Sequence, residues 1–215
     1  MFISFEGVDG SGKTSQIQYA AAALRAEGYD VLLTREPGGT PVGDEIRTVL
    51  FDSKNSQDIH PRTELLLFCA SRAQLVAEVI RPHLAKGGIV ISDRFADSTI
   101  VYQGYGRGLE LDALRHIIDF ATGGLWPDLT IFLDITPEEA LDRRRKASLF
   151  GDEFNRLDDM ALDFHRRVYQ GYEALIAAEP QRWHRISATG TQEQVKEAVL
   201  KVLRHALSVK RATHE

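Results

Sequence analysis

Short apolar segments rich in β-branched residues alternate with longer amphipathic segments along most of this 215-residue chain. Most of the short segments are continuously apolar, which is typical of parallel strands that are covered on both faces. They predict five β-strands, at residues 2–6, 30–34, 88–92, 129–134 and 182–187.

The longer segments carry apolar residues at helical spacing. They predict helices at 13–27, 41–52, 61–86, 111–122, 137–147, 156–178 and 191–208. Because strands and helices alternate, we expect an α/β fold with a five-stranded parallel sheet flanked by helices on both faces. No linker or repeat interrupts the pattern, so a single domain over 1–215 is expected. The polar segment 146–155 is expected to form a mobile loop between two helices.

The composition narrows the class of protein. Lys and Arg number 26 against 31 Asp and Glu, so the net charge of −5 argues against nucleic-acid binding. The single cysteine permits no internal disulfide and suits a reducing cytosol. No apolar run approaches the ~20 residues that span a membrane, and the start of the chain lacks the features of a signal peptide. We therefore expect a cytoplasmic protein without a membrane partner.

Residues 7–14 read GVDGSGKT and match the phosphate-loop pattern G-x-x-x-x-G-K-[ST], directly after a predicted strand and at the start of a predicted helix. Glycines at three positions allow a sharp turn that directs backbone N–H groups at phosphate oxygens. Lys13 is expected to reach the β- and γ-phosphates, and Thr14 to bind Mg²⁺. The predicted ATP site comprises Gly7, Val8, Asp9, Gly10, Ser11, Gly12, Lys13 and Thr14.

Other phosphate-loop proteins carry further motifs that this chain lacks. A GTPase would need Asp-x-x-Gly after the third strand, but Ala96 stands three residues after Asp93, and no Asn-Lys-x-Asp is present. The LSGGQ motif of ABC-type ATPases is also absent from the sequence. A compact phosphate-loop domain without these motifs is typical of a small-molecule kinase.

Three further segments, at 34–40, 68–74 and 93–103, are candidates for an acceptor site. The first and third follow strand ends, where open α/β sheets bind ligands. Arg35 and Arg94 can each bind a phosphate with two hydrogen bonds, although either could instead form a surface salt bridge. Phe68 and Arg72 share one helix face and could stack on a base and donate to its carbonyl. Alternatively, Phe68 could pack in the core and Arg72 could be a solvated charge on the helix face.

With the phosphate loop, the segments Arg-Glu-Pro-Gly-Gly at 35–39 and Asp-Arg-Phe-x-x-Ser-Thr-x-x-Tyr-Gln at 93–103 closely resemble the thymidylate kinase family, and the likeness extends from residue 2 to about 187. The resemblance implies a P-loop NTPase fold, transfer of the ATP γ-phosphate to dTMP with Mg²⁺, and a homodimer. Two alternatives stay open: a kinase for another pyrimidine nucleoside monophosphate, UMP or CMP, and a nucleotide-binding regulator without catalysis.

The resemblance also implies roles for individual residues. Thr99 and Gln103 are expected to lie near the thymine base. Tyr102 is expected to pack where a ribose 2′-hydroxyl would be, which favours deoxyribose. Asp9 is expected to bind the 3′-hydroxyl of the acceptor sugar. Asp93 is expected to hold Mg²⁺ directly or through water, with Glu6 as a second candidate. The expected dTMP site comprises Asp9, Arg35, Glu36, Pro37, Phe68, Arg72, Arg94, Ser98, Thr99, Tyr102 and Gln103.

A basic run, Arg-Arg-Arg-Lys at 143–146, precedes the polar segment 146–155. Phosphoryl transfer needs cations around the equatorial oxygens, and this phosphate loop contains no arginine. The resemblance implies that a lid over the site supplies one. The chain departs from the common family pattern at Ala147, at Ser148 and at 155–158 (NRLD), so Arg143, Arg145 and Arg156 all stay candidates. The expected catalytic residues are these arginines with Asp9, Lys13, Asp93 and Arg94.

Overall fold

The structure, a computed structural model, describes residues 1–51, 59–148, 157 and 160–212. Five parallel strands form one sheet in the order β2-β3-β1-β4-β5. They are β1 (Phe2–Glu6), β2 (Val31–Arg35), β3 (Ile89–Asp93), β4 (Leu129–Asp134) and β5 (Trp183–Ser187). The five predicted strands are thus confirmed, with ends that differ from the prediction by no more than one residue.

Helices connect the strands and follow the last one. They are α1 (Lys13–Ala26), α2 (Pro41–Phe51), α3 (Pro61–Leu75), α4 (Arg81–Ala85), α5 (Ala96–Thr99), α6 (Leu111–Thr122), α7 (Pro137–Ser148), α8 (Leu162–Ala178) and α9 (Gln192–Ala212). A π-helical turn (Val76–Ile80) joins α3 to α4, so the long helix predicted at 61–86 is one continuous run.

A further helical run was not predicted from the sequence. It consists of α5 and a π-helical segment (Ile100–Gly106), and it carries most of the acceptor segment 93–103. Its β-branched residues disfavour a helix intrinsically. Tertiary packing decides the conformation here, because α8 packs along this segment and Ile100 and Val101 are buried in the core.

The core lies on both faces of the sheet. Successive side chains of a strand point to opposite faces, and every residue of β1 is buried, as are the first four of β3. Helix α1 packs against β1, β2 and β3, and α9 packs against α1 and β5. The predicted α/β fold with helices on both faces is therefore confirmed. No helix in the described ranges is both long and apolar enough to cross a bilayer.

The carboxyl ends of the strands bring the candidate residues to one edge of the sheet. Arg35 at the end of β2 pairs in register with Asp93 at the end of β3, and Asp93 pairs with Phe5 of β1. Glu6 follows Phe5 and leads into residues 7–14. The phosphate loop therefore starts from the centre of the sheet, beside the strand ends that carry Arg35 and Asp93.

Candidate active site

The phosphate loop packs closely against its neighbours. Gly7 has φ 138°, and a Cβ there would lie 2.7 Å from the carbonyl oxygen of Leu133 at the end of β4. At Gly10, with φ 90°, a Cβ would collide with the carbonyl oxygen of Ala140 in α7. Both positions require glycine. The loop is thus fixed between the sheet edge and α7.

Lys13 lies at the start of α1, inside the loop. Its Nζ donates to the carbonyl oxygens of Gly7, at 3.0 Å, and Val8, at 3.1 Å. Burial, together with the nearby charge of Arg94, lowers the pKa of Lys13. Among the described residues, no side chain caps the first turn of α1, which begins after Gly12. The ammonium group and the helix N-terminus thus form a positively charged cradle for phosphate.

The hydroxyl of Thr14 and the carboxylate of Asp93 meet beside the loop. Thr14 Oγ1 donates to Asp93 Oδ2 over 3.3 Å. The described residues contain no group of three or more His, Cys, Asp or Glu that could hold a metal. One hydroxyl and one carboxylate fit Mg²⁺, which keeps several waters and takes its other ligands from phosphate oxygens.

The side chain of Arg94 forms hydrogen bonds both to the phosphate loop and to other residues of the acceptor segment 93–103. Its Nη2 donates to Asp9 Oδ1 at 2.7 Å and to the hydroxyl of Tyr102 at 3.1 Å, and its Nη1 donates to Ser98 Oγ at 3.0 Å. Within the described ranges it is the one non-glycine residue with positive φ, at 69°. Such a backbone costs on the order of 1–3 kcal/mol and persists where its surroundings enforce it. The guanidinium group is therefore held in a defined place.

Asp9 carries a negative charge at the centre of the site. Its Oδ1 lies 3.7 Å from Lys13 Nζ and 2.7 Å from Arg94 Nη2. Burial favours the neutral acid, but the positive charges of Arg94 and Lys13 outweigh it and hold the pKa of Asp9 well below its usual range. The carboxylate therefore stays ionised and can accept a hydrogen bond from a ligand hydroxyl.

Glu6 is fully buried beneath the turn that carries Arg94. Its carboxylate accepts hydrogen bonds from the backbone N–H of Phe95 at 2.8 Å, Ser98 Oγ at 2.6 Å and the hydroxyl of Tyr172 at 2.9 Å. Burial, with the nearby charge of Asp97, raises the pKa of Glu6. These contacts make Glu6 an anchor of the turn, and its metal-binding role stays a prediction.

One cavity of about 570 Å³ extends from the phosphate loop to the three acceptor segments. Every residue of the predicted dTMP site lines it, together with Gly10, Gly12, Lys13, Thr14 and Asp93. The residues of the predicted ATP and metal sites that do not line it are Glu6, Gly7, Val8 and Ser11. The structure thus brings the donor and acceptor motifs to a single space.

Arg72 lies against this cavity with almost no exposure to solvent. Its Nε and Nη2 donate to the carboxylate of Glu36 at 2.9 and 2.6 Å, and Nη2 also donates to Thr99 Oγ1 at 2.9 Å. Its Nη1 is buried and has no hydrogen-bond partner among the described residues. Because a buried unpaired donor is costly, a ligand acceptor at this position would be favoured.

Phe51 and Phe68, which both line the cavity, form an aromatic pair. The rings of Phe68 and Phe51 meet edge to face with centroids 6.3 Å apart, and the guanidinium group of Arg47 lies 5.2 Å from the ring of Phe51. Arg47 also donates to the carbonyl oxygen of Pro37 at 3.1 Å. Arg47 and Phe51 were not among the predicted site residues, although their i, i+4 spacing repeats that of Phe68 and Arg72. Tyr172 was not predicted either, and no sequence signal links it to Glu6.

The basic run at the end of α7 reaches the cavity with two of its arginines. Arg143 lines the cavity and donates to the carbonyl oxygen of Ala188 at 3.0 Å. Arg144 also lines the cavity, and its charge helps to lower the pKa of Asp9. Arg145 is exposed and does not line the cavity. Arg156 and residues 149–155 of the expected mobile segment lie outside the described residues.

Arg144 was not among the predicted lid arginines. It follows Ala140 by four residues on α7, and the carbonyl oxygen of Ala140 closely approaches Gly10. Residues four apart share a helix face, so Arg144 is directed to the phosphate loop. The contact between Gly10 and Ala140, which fixes this orientation, is not visible in the sequence.

The chain resembles known proteins along most of its length. A family model described as thymidylate kinase matches residues 5–199. The thymidylate kinase of Roseiflexus castenholzii is 49% identical over 212 residues, which cover 94% of this chain and 92% of that protein. The thymidylate kinase of Chlorobium luteolum is 50% identical over 208 residues, covering 94% and 96%. The crystal structure of thymidylate kinase from Ehrlichia chaffeensis aligns with a TM-score of 0.76 at 35% identity, covering 94% of this chain and 98% of that one.

Proposed function

The chain belongs to the thymidylate kinase family, and we propose that it transfers the γ-phosphoryl group of ATP to dTMP, with Mg²⁺, giving ADP and dTDP. The observation that carries the proposal is that Lys13, Asp93 and Arg94 line one cavity. Phe68 and Arg72, the residues expected to bind the base, line the same cavity. A donor triphosphate in the phosphate loop and an acceptor monophosphate beside Arg94 would then meet within one space.

The donor end would hold ATP through the loop N–H groups and Lys13. On binding, Lys13 would exchange its contacts with the carbonyl oxygens of Gly7 and Val8 for phosphate oxygens. The residues that fit Mg²⁺ are Thr14 and Asp93. When bound, Mg²⁺ would neutralise charge on the β- and γ-phosphates.

The acceptor end would hold dTMP by its phosphate, its sugar and its base. Arg35 and Arg94 would donate hydrogen bonds to the phosphate, and Asp9 would accept a hydrogen bond from the 3′-hydroxyl. The ring of Tyr102, whose hydroxyl is bound to Arg94, would stand where a ribose 2′-hydroxyl would be and so favour deoxyribose. Thymine would lie in the end of the cavity that Phe68 and Arg72 line.

The chemistry needs no covalent intermediate and no general base, because the acceptor phosphate is already a nucleophile. The protein would contribute position and charge. Arg94 would fix the acceptor oxygen in line with the γ-phosphorus atom. Lys13 and an arginine of α7 would neutralise the charge on the equatorial oxygens in the transition state.

Turnover by the purified protein tests the donor and the metal. With dTMP as acceptor, we expect dTDP and ADP in equal amounts when ATP and Mg²⁺ are both present, and no dTDP when EDTA removes the metal. Among UMP, CMP and dTMP, we expect the highest kcat/KM for dTMP. Equal turnover in EDTA would contradict the Mg²⁺ proposal, and a higher kcat/KM for UMP or CMP would contradict the acceptor.

We also propose that the protein is a homodimer. Leu66 on α3 and Phe120 on α6 are exposed apolar side chains, with 56% and 91% of their surface accessible, and the two helices pack against each other. Sedimentation should give about twice the chain mass of 24.1 kDa, and Phe120→Glu should shift the protein towards the monomer. A monomeric parent protein at micromolar concentration would contradict this proposal.

We propose one kinase domain over 1–215, with a lid in the segment 146–155, and a cytoplasmic location. The single cysteine, Cys69, which is buried and not disulfide-bonded, is consistent with a reducing compartment.

A further inference from the structure

Gln103 is a cavity-lining amide whose orientation is set from behind. It lies on the π-helical segment Ile100–Gly106, and its Nε2 donates to Glu64 Oε1 over 2.7 Å. Glu64 on α3 is fully buried. The guanidinium group of Arg107 supplies the opposite charge and donates from Nη2 to Glu64 Oε2 over 3.1 Å.

This contact fixes the hydrogen-bond polarity of the amide. Both carboxylate oxygens of Glu64 act as acceptors, one from Gln103 and one from Arg107, so the amide nitrogen of Gln103 points to Glu64. The amide oxygen then points away from Glu64 and is the group that Gln103 can offer as an acceptor. Without a partner of fixed polarity, a glutamine amide can turn over and offer its NH₂ group instead.

The neighbouring polar group has the opposite polarity. Arg72 can only donate, and Glu36 and Thr99 hold its guanidinium group while its Nη1 remains without a partner among the described residues. Gln103 stands four residues after Thr99, one helical turn further along the same run. The cavity therefore presents a donor from Arg72 beside an acceptor from Gln103. Arg72 is a donor because a guanidinium group has no acceptor. Gln103 offers its acceptor because Glu64 binds its amide nitrogen.

Thymine and uracil present the complementary edge, an acceptor at O4 next to a donor at N3–H. Cytosine presents an amino donor at C4 next to an acceptor at N3, so both of its polar groups would face a group of like polarity. We propose that Glu64 is a positioning residue for specificity: by orienting Gln103, it makes the cavity accept thymine and uracil and reject cytosine. This inference rests on the proposed function, which places the acceptor base in this cavity.

The test compares dUMP with dCMP, because both lack the thymine methyl group and differ only at the base edge. A site built to hydrogen-bond its substrate rejects a mismatched analogue strongly. For the parent enzyme we expect kcat/KM for dUMP to exceed that for dCMP by at least about 100-fold. In Glu64→Gln, the new amide can donate as well as accept, so Gln103 can turn over. We expect the dUMP/dCMP ratio to fall at least about tenfold.

Two controls separate positioning from stability. Arg107→Lys keeps a positive charge beside Glu64 and is expected to keep the parent ratio, even if the thermal midpoint falls. In a Gln103→Leu background the amide is absent, so adding Glu64→Gln should leave the ratio unchanged. A merely structural role of Glu64 would alter stability and turnover with both acceptors alike, and would not move the ratio.

The inference is overturned if folded Glu64→Gln keeps the dUMP/dCMP ratio within about twofold of the parent. If that variant does not fold, the double variant Glu64→Met with Arg107→Met replaces the buried pair by apolar side chains of similar volume, a change that proteins often tolerate. It also removes the anchor of Gln103, and an unchanged ratio there would overturn the inference equally. Failure of the proposed function would be seen separately, as a parent enzyme that does not phosphorylate dTMP.

Discussion

Lys13→Ala is expected to lower kcat for dTDP formation by at least about 10³-fold while the Kd of dTMP stays within about twofold of the parent value. The ammonium group is buried in the phosphate loop, where it would contact the donor phosphates, and the acceptor would be bound by other side chains. Steady-state turnover and calorimetric titration with dTMP measure the two quantities.

A matched control is available in Lys86→Ala, because Lys86 is exposed and stands outside the cavity lining. It should retain the parent kcat and the parent Kd. Turnover by Lys13→Ala at a rate comparable to the parent would contradict the assignment of the loop to the donor. Loss of dTMP binding in that variant would instead indicate that Lys13 contacts the acceptor.

Arg144→Ala is expected to lower kcat by about 10³-fold, the lower end of the range for an arginine that stabilises a phosphoryl-transfer transition state. The KM for dTMP should change much less, because an interaction made only in the transition state affects kcat rather than ground-state binding. Arg144 lines the cavity, and its charge acts on Asp9 beside the phosphate loop. Assays at saturating ATP and dTMP test the change.

The neighbouring arginines give the comparison series. Arg145→Ala should change kcat by less than about tenfold, since Arg145 is exposed and does not line the cavity. Arg143→Ala should have an intermediate effect, because its side chain is bound to the carbonyl oxygen of Ala188 at the cavity edge. A larger loss of kcat in Arg145→Ala than in Arg144→Ala would contradict this assignment of the α7 arginines.

The sheet was predictable because its strands are continuously apolar and are separated by helical segments. The phosphate loop and the three acceptor segments were predictable because each is a contiguous motif, two of them at strand ends that a parallel sheet brings to one edge. The helical run over Ala96–Gly106 was not, since its β-branched residues favour a strand and tertiary packing by α8 decides otherwise.

The partners of the site residues could not be predicted from the sequence. Glu36 and Arg72 are 36 residues apart, Glu64 and Gln103 are 39 apart, and Glu6 and Tyr172 are 166 apart. Each pair depends on how distant elements pack, which local patterns do not encode. Arg144 was missed for the same reason, because the face that α7 presents to the cavity is set by the contact of Ala140 with Gly10.

A crystal structure of the protein with ADP, Mg²⁺ and dTMP is the most direct test of the central claim, that one cavity holds both nucleotides in position for transfer. We expect the β-phosphate of ADP within hydrogen-bonding distance of Lys13 and the phosphate of dTMP within hydrogen-bonding distance of Arg94. The thymine should lie beside Phe68, with its O4 accepting from Arg72. A dTMP molecule whose phosphate occupies the phosphate loop, or whose base lies outside this cavity, would contradict the account.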